Sequence, residues 1–189
     1  ALVGTAMEWY DYYLFGLAAA LVFNRLFFTE LDPWAASLAA FATFGIGFVA
    51  RPLGAVIFGS LGDRIGRKPT LILSVVLIGI ATALIGVLPD FFAIGIAAPI
   101  LLVVLRLVQG VAVGGEWSGA MTIAIEHAPK EHRNRLAALV QLSSPVATLL
   151  SSGAFTIVLL LPPASFDAWG WRVPFLLAIP FLLVAVFLR

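Results

Sequence analysis

Five ionisable side chains stand inside apolar stretches of this chain: Glu8, Asp11, Arg51, Arg106 and Glu116. A charge at the centre of a membrane-crossing helix costs about 2.5–3.5 kcal/mol on insertion scales, so each needs a partner or water. Arg51 lies near the middle of its stretch, too far from either surface for easy snorkelling, and Pro52 after it frees the carbonyl of Phe48. Two readings of Arg51 are open: a guanidinium that binds an anion in a central cavity, or an ion pair with Asp11 or Glu116. Arg106, Gln109, Val113 and Glu116 fall on one face at helical spacing, a stripe that should turn to the bundle interior. Glu8 and Asp11 are three apart, with Tyr12 and Phe15 on the same side. A carboxylate in partly dry surroundings can hold a proton at neutral pH. Asp11 and Glu116 are therefore the proton-relay candidates, joined by Glu8, although Glu8 can also be read as interfacial and Asp11 as a structural partner of Arg51 or Arg106. Tyr12, Gln109 and Gln141 join the two arginines as candidate ligand contacts. Ser143, Ser144, Ser151 and Ser152 accompany Gln141, their hydroxyls expected mainly to bond backbone carbonyls.

The elements that must position these groups follow from composition. Of 189 residues, 62% are AVILMFWYC and 11% are charged, less than half the usual share of about 25%. A soluble or disordered chain needs more polar residues than that. Six apolar runs of membrane-crossing length can be read, at about 7–28, 34–59, 70–88, 98–125, 136–161 and 173–188. Asp32-Pro33 can cap and start the second. Lys68-Pro69 opens the third and Leu88-Pro89-Asp90 ends it. The apolar stretch 91–97 is expected to be an interfacial connection. The predicted fold class is an all-α membrane protein, one six-helix bundle over residues 1–189. A division into two three-helix halves would make those halves inverted relative to one another.

Alternate connections carry Arg64, Arg67 and Lys68, then Lys130, Arg133 and Arg135, then Arg189, while the opposite ones carry Glu30, Asp32, Asp90 and Asp167. The positive-inside rule puts the basic connections, and with them both termini, in the cytoplasm. Trp34, Trp169 and Trp171 are then expected at the outer interface.

Several chemistries find no support. There is no cysteine, which removes thiolate catalysis and Cys-based metal sites. Glu126, His127, Glu131 and His132 flank Pro129 without helical ligand spacing and read as a solvated loop; no metal site is expected. A net charge of +1 with no basic, aromatic-interleaved patch gives no reason to expect nucleic acid. No nucleophile, phosphate-loop or zinc-protease motif is present, so no enzyme is expected.

The segment after the second run reads Gly59-Ser60-Leu61-Gly62-Asp63-Arg64-Ile65-Gly66-Arg67-Lys68. It resembles the G-x-L-G-D-R-x-G-R-K motif of the major facilitator superfamily at every defining position, and Arg106-x-x-Gln109-Gly110 resembles that superfamily's fourth-helix motif. Glu8-Trp9-Tyr10-Asp11, Ala50-Arg51-Pro52-Leu53-Gly54, Gly114-Gly115-Glu116-Trp117 and Gly170-Trp171-Arg172-Val173-Pro174-Phe175 are similar to segments of its metabolite:proton symporters. Those include carriers of 2-oxoglutarate, shikimate, citrate, and proline or betaine. The resemblance covers the whole chain and the N-terminal six-helix half of such a transporter, the C-terminal half being absent.

The resemblance implies a bundle with a 3+3 inverted repeat in a bacterial-type inner membrane. It implies alternating access with a small-molecule substrate between two halves. No cofactor is implied beyond a proton as coupling ion; the partners are the substrate, the bilayer and the second half. Gly59, Gly62, Asp63, Arg64, Gly66, Arg67 and Lys68 would form a gating latch, its glycines permitting a tight turn and close helix approach. Two other readings remain: an uncoupled facilitator such as a sugar carrier, and a six-helix scaffold that transports nothing.

Overall fold

The computed structural model describes residues 2–126, 138 and 141–187. Helix α1 runs over Leu2–Ala18 and continues through a π-helical turn, Ala19–Phe23, into Asn24–Leu26. It is followed by α2, Pro33–Ile65, α3, Arg67–Val87, and α4, Ala97–Glu126. Helix α5 is Ser143–Val158. Helix α6 spans Pro163–Phe187 and contains a second π-helical turn at Phe166–Gly170. No strand occurs among the described residues.

Local chemistry sets the boundaries. The Asp32 carboxylate caps α2, accepting the N–H of Trp34 and of Ala35 at 3.1 Å, and Pro33 fills the first helical position, where no N–H is needed. Pro52 lies inside α2 without ending it. At 33 residues this helix is about 50 Å long, well beyond a hydrocarbon core of about 30 Å, so at least one end projects. Gly66 alone turns the chain from α2 to α3, with φ 94° that a side chain would strain. Beyond α3, Asp90 caps a single helical turn, Phe91–Ile94, which leaves Phe92 and Ile96 exposed.

The packing is that of helices in lipid. Large apolar side chains such as Leu38, Val49, Leu53, Val56 and Leu149 face outward, while small residues bring backbones together. A Cβ on Gly54 would collide with the Val111 carbonyl, one on Gly110 with the Gly47 carbonyl, one on Gly114 with the Arg51 carbonyl, and one on Gly115 with Phe58. Helices α2 and α4 therefore meet backbone to backbone over three turns. Helix α1 packs on α5, α3 on α4, and α6 on α3 and on α1.

At the acidic end, an aromatic core closes α1 on α6. Phe23 and Phe27 meet Trp171 edge-on at 6.0 and 5.9 Å, and Phe175 stands 6.0 Å from Trp171. This corrects one expectation: Trp34 and Trp169 are exposed, but Trp171 is fully buried and belongs to the core. Arg172 reaches back to donate to the carbonyls of Leu88 at 2.6 Å and Gly86 at 3.3 Å, neutralising the C-terminus of α3.

Candidate functional site

The intramembrane charges separate into two groups. The deeper one joins α1, α3 and α4. Arg106 Nη1 donates to Asp11 Oδ2 at 2.9 Å and to Gln109 Oε1 at 3.1 Å. Gln109 Nε2 donates to Asp11 Oδ1, and to Thr82 Oγ1 at 2.9 Å. The Thr82 hydroxyl, 2.7 Å from Asp11 Oδ1 and 2.8 Å from the Ile78 carbonyl, has one proton for the two. Asp11, Arg106, Gln109 and Thr82 are all buried.

The order in this network is dictated by donor count. Arg106 and Gln109 both present donors to the Asp11 carboxylate, an arrangement that suits its acceptor oxygens. The same logic fixes the Gln109 amide: turned over, its oxygen would face the carboxylate. A unit-charge pair near 4 Å is worth about 4 kcal/mol at an effective dielectric of 20, while desolvation costs several kcal/mol per ion. The pair alone does not repay its burial, and the bonds from Gln109 and Thr82 are what complete it. The guanidinium also lies 4.4 Å from the ring centroid of Phe15 and 5.2 Å from that of Phe44. Gly47 makes room for it: a Cβ there would come within 2.6 Å of Arg106 Nε.

The second group lies at a cleft of about 130 Å³ lined by Glu8, Trp9, Tyr12, Phe48 and Arg51. Arg51 Nη1 and Glu8 Oε1 are 3.9 Å apart, with side chains 30% and 6% exposed. That separation is an ion pair but too long for a hydrogen bond. Arg51 rests against Phe48, 4.5 Å from its centroid, and makes no side-chain hydrogen bond shorter than this contact among the described residues. Tyr12 stands edge-on to Trp9 at 5.7 Å and to Phe48 at 5.6 Å. The cleft thus offers one open guanidinium, one carboxylate and three aromatic faces.

Several expectations change. Arg51 is the deepest arginine by sequence position, yet Arg106 is the one sealed from solvent, packed against Asp11 and Phe15 of α1 and Phe44 of α2, while the Arg51 side chain is 30% exposed. Asp11 forms no salt bridge with Arg51 among the described residues; Glu8 does, and Glu8 is buried rather than interfacial. Gln141 is exposed and does not line the cleft. Ser151 and Thr148 bond the carbonyls of Thr148 and Ser144, while Ser144 Oγ lies 3.3 Å from the Tyr13 hydroxyl. Glu116 is in α4, but its side chain falls outside the described residues, as do His127, Glu131 and His132.

The gating segment is not a loop. Gly59, Gly62, Asp63 and Arg64 belong to the last turns of α2, Gly66 is the hinge, and Arg67 and Lys68 open α3. Gly59 has nothing near it that a Cβ would meet, so it brings no helix close. Asp63, Arg64, Arg67 and Lys68 are exposed and form no ion pair among the described residues. Thr82 escaped notice in the sequence. Its signal was the spacing of Thr70, Ser74 and Thr82, one buried face of α3.

The whole chain, residues 1–189, matches the family model described as sugar (and other) transporter. It is 51% identical over its full length to the shikimate transporter of Escherichia coli strain K12, covering 43% of that protein. It is 37% identical to the proline/betaine transporter of the same strain, covering 38% of it. The chain therefore spans less than half the length of these relatives. The xylose transporter XylE from E. coli in its inward open conformation superposes with a TM-score of 0.84 at 19% identity, over 99% of this chain and 45% of XylE.

Proposed function

Since the chain belongs to the sugar (and other) transporter family within the major facilitator superfamily, we propose that it works as one half of a secondary active transporter carrying a small organic anion or zwitterion together with a proton. The observation that carries this reading is the division of labour between the two charge groups. Arg51 borders an open cleft with donors unspent, which suits a carboxylate. Asp11 is a buried carboxylate held by donors that a conformational change can withdraw.

When Arg106 is drawn away, the Asp11 carboxylate loses its compensating charge and takes a proton. When Arg106 returns, the proton leaves. That exchange ties proton traffic to the rearrangement of α1 against α4. Gln109 and Thr82 hold the two partners in register, and Glu116 remains a second proton-carrying candidate. The exposed cations of Arg64, Arg67 and Lys68 with Asp63 serve as a cytoplasmic latch toward the second six-helix half. The basic end then faces the cytoplasm of a bacterial inner membrane.

The relatives' names, a shikimate and a proline/betaine transporter, support a carboxylate-bearing cargo. The test is external alkalinisation by cells or vesicles bearing the protein in its complete form, with shikimate, proline, betaine, di- and tricarboxylates and sugars supplied in turn. A pH rise with a carboxylate or zwitterion is expected. Labelled uptake without a pH change would replace symport by facilitation, and uptake of sugars alone would remove the anion reading.

A further inference from the structure

Within the deep network Thr82 Oγ1 both gives and takes hydrogen bonds. It accepts from Gln109 Nε2 at 2.9 Å and stands 2.7 Å from Asp11 Oδ1 and 2.8 Å from the Ile78 carbonyl. A hydroxyl has one proton and two acceptor lone pairs, so that proton can serve the carboxylate or the carbonyl, not both at once. Arg106 Nη1 holds the other carboxylate oxygen, Oδ2. We infer that Thr82 is a positioning residue for the proton step: its hydroxyl turns between Asp11 and Ile78 and makes Oδ1 the oxygen that takes and releases the proton. The inference rests on the symporter reading and assigns its proton to one atom.

The two positions of the hydroxyl match the two states of the carboxyl group. Beside a charged carboxylate the Thr82 O–H turns to Oδ1 and donates to it. Once a proton has bonded to Oδ1, the new O–H donates to Thr82 Oγ1, which turns its own proton to the Ile78 carbonyl one helical turn back. Gln109 Nε2 keeps the remaining lone pair of Oγ1 in either state. Every donor then has an acceptor in both states and no heavy atom has to move. Thr82 keeps its own proton throughout, and the one gained or lost by Asp11 is the coupling ion. Gln109 cannot act this way, since its amide nitrogen only donates. Placement adds to the argument. Arg106 and Gln109 both stand on α4, so a shift of α1 against α4 withdraws them together, whereas Thr82 is on α3 and can stay with Asp11. The other titratable and charged groups near Asp11 and Arg106 are Glu8, Tyr10 and Tyr12 of α1 and Arg51 of α2. Tyr10 gives its hydroxyl proton to the Pro174 carbonyl and Arg51 pairs with Glu8, so neither competes with Thr82 for Oδ1.

The test reads two rates in vesicles bearing the complete protein, with labelled shikimate or proline as the probe. One is net uptake driven by an imposed pH gradient, which requires Asp11 to release its proton in every cycle. The other is exchange of labelled for unlabelled probe, which the protonated carrier performs without that release. Thr82→Val removes a donor that the charged carboxylate needs more than the neutral acid does. It should lower the ratio of net uptake to exchange about tenfold and raise the receiving-side pH of half-maximal net uptake by about one unit, the same factor read two ways. Thr82→Ser keeps the hydroxyl and should restore both. The ratio is taken within one protein, so a variant's lower abundance cancels. Should the valine variant fail to accumulate, Thr82→Cys, with only a weak S–H donor in that place, should move both readings in the same direction. An unchanged ratio and profile in Thr82→Val or Thr82→Cys overturns the inference, as does a serine variant that behaves like the valine one, and either result leaves the symporter standing. Exchange without pH-driven uptake in the unaltered protein, or neither rate, overturns the symporter reading and this inference with it.

Discussion

Arg106 and Asp11 meet at 2.9 Å between α4 and α1, each side chain only 4% exposed. The pair joins helices 95 residues apart in sequence, and it does so where water cannot substitute for either partner. Its loss is therefore asymmetric. Arg106→Ala leaves a buried carboxylate with two neutral donors, and should cost about 3–5 kcal/mol. Asp11→Asn with Arg106→Gln removes both charges and should recover most of that loss. Thermal unfolding in detergent of Asp11→Asn, of Arg106→Gln and of the double variant checks the coupling; additive losses would deny it.

Thr82 should matter through its hydroxyl alone. Thr82→Val keeps the shape but strands the Asp11 and Gln109 bonds, costing about 1–3 kcal/mol. Thr82→Ser should cost less than half as much. A valine variant as stable as the parent would show that the hydroxyl is dispensable.

The glycines divide sharply. Gly114→Ala drives a methyl group into the Arg51 carbonyl and should destabilise by about 3 kcal/mol, the upper end for overpacking. Gly45→Ala meets nothing within 4 Å and should be neutral or gain about 0.5–1 kcal/mol from helix propensity. The melting temperatures of the two variants should move apart.

Arg172 is expected to stabilise the end of α3. Its bonds to the Leu88 and Gly86 carbonyls make Arg172→Ala a loss of about 1.5–3 kcal/mol. Hydrogen exchange of the α3 C-terminal amides should rise in that variant before the rest of the helix responds.

Asp63 should behave in the opposite way. It is exposed and without an ion pair among the described residues, so Asp63→Ala should change stability by no more than about 0.5 kcal/mol. In the complete protein it should instead alter the rate of exchange between inward- and outward-facing forms, read by distance labels across the two halves. Unchanged exchange would remove Asp63 from the latch.

The all-helical membrane fold was legible because lipid demands long apolar runs, and Asp32-Pro33 marks a helix start in letters alone; Asp90 was legible only as the end of the third run, whereas it also caps the next helical turn. Gly110 and Gly114 have the four-residue spacing of small residues that suits a close crossing. The pairing of charges was not legible, since it depends on how α1, α2 and α4 are rotated about their axes. That is why Arg51 found Glu8 rather than Asp11, and why Thr82 stayed hidden in a run of apolar neighbours. Trp171 misled because an indole near a helix end fits an interface as well as a core. The motif at 59–68 was recognisable by its residues, yet its shape was not: helical bonding carries α2 through to Ile65, and one glycine makes the turn.

The crossing of α2 and α4 has a mechanical consequence. With the carbonyls of Gly47 and Arg51 seated on Gly110 and Gly114, neither helix can slide without lifting a carbonyl over a neighbouring residue. The crossing acts as a keyed joint, stiff in translation and free only to tilt as one beam. Arg51 and Arg106 are mounted on that beam, one on each member. Any motion that shifts one guanidinium along with the beam must swing the other relative to α1, so the two charges are geared together by the joint itself.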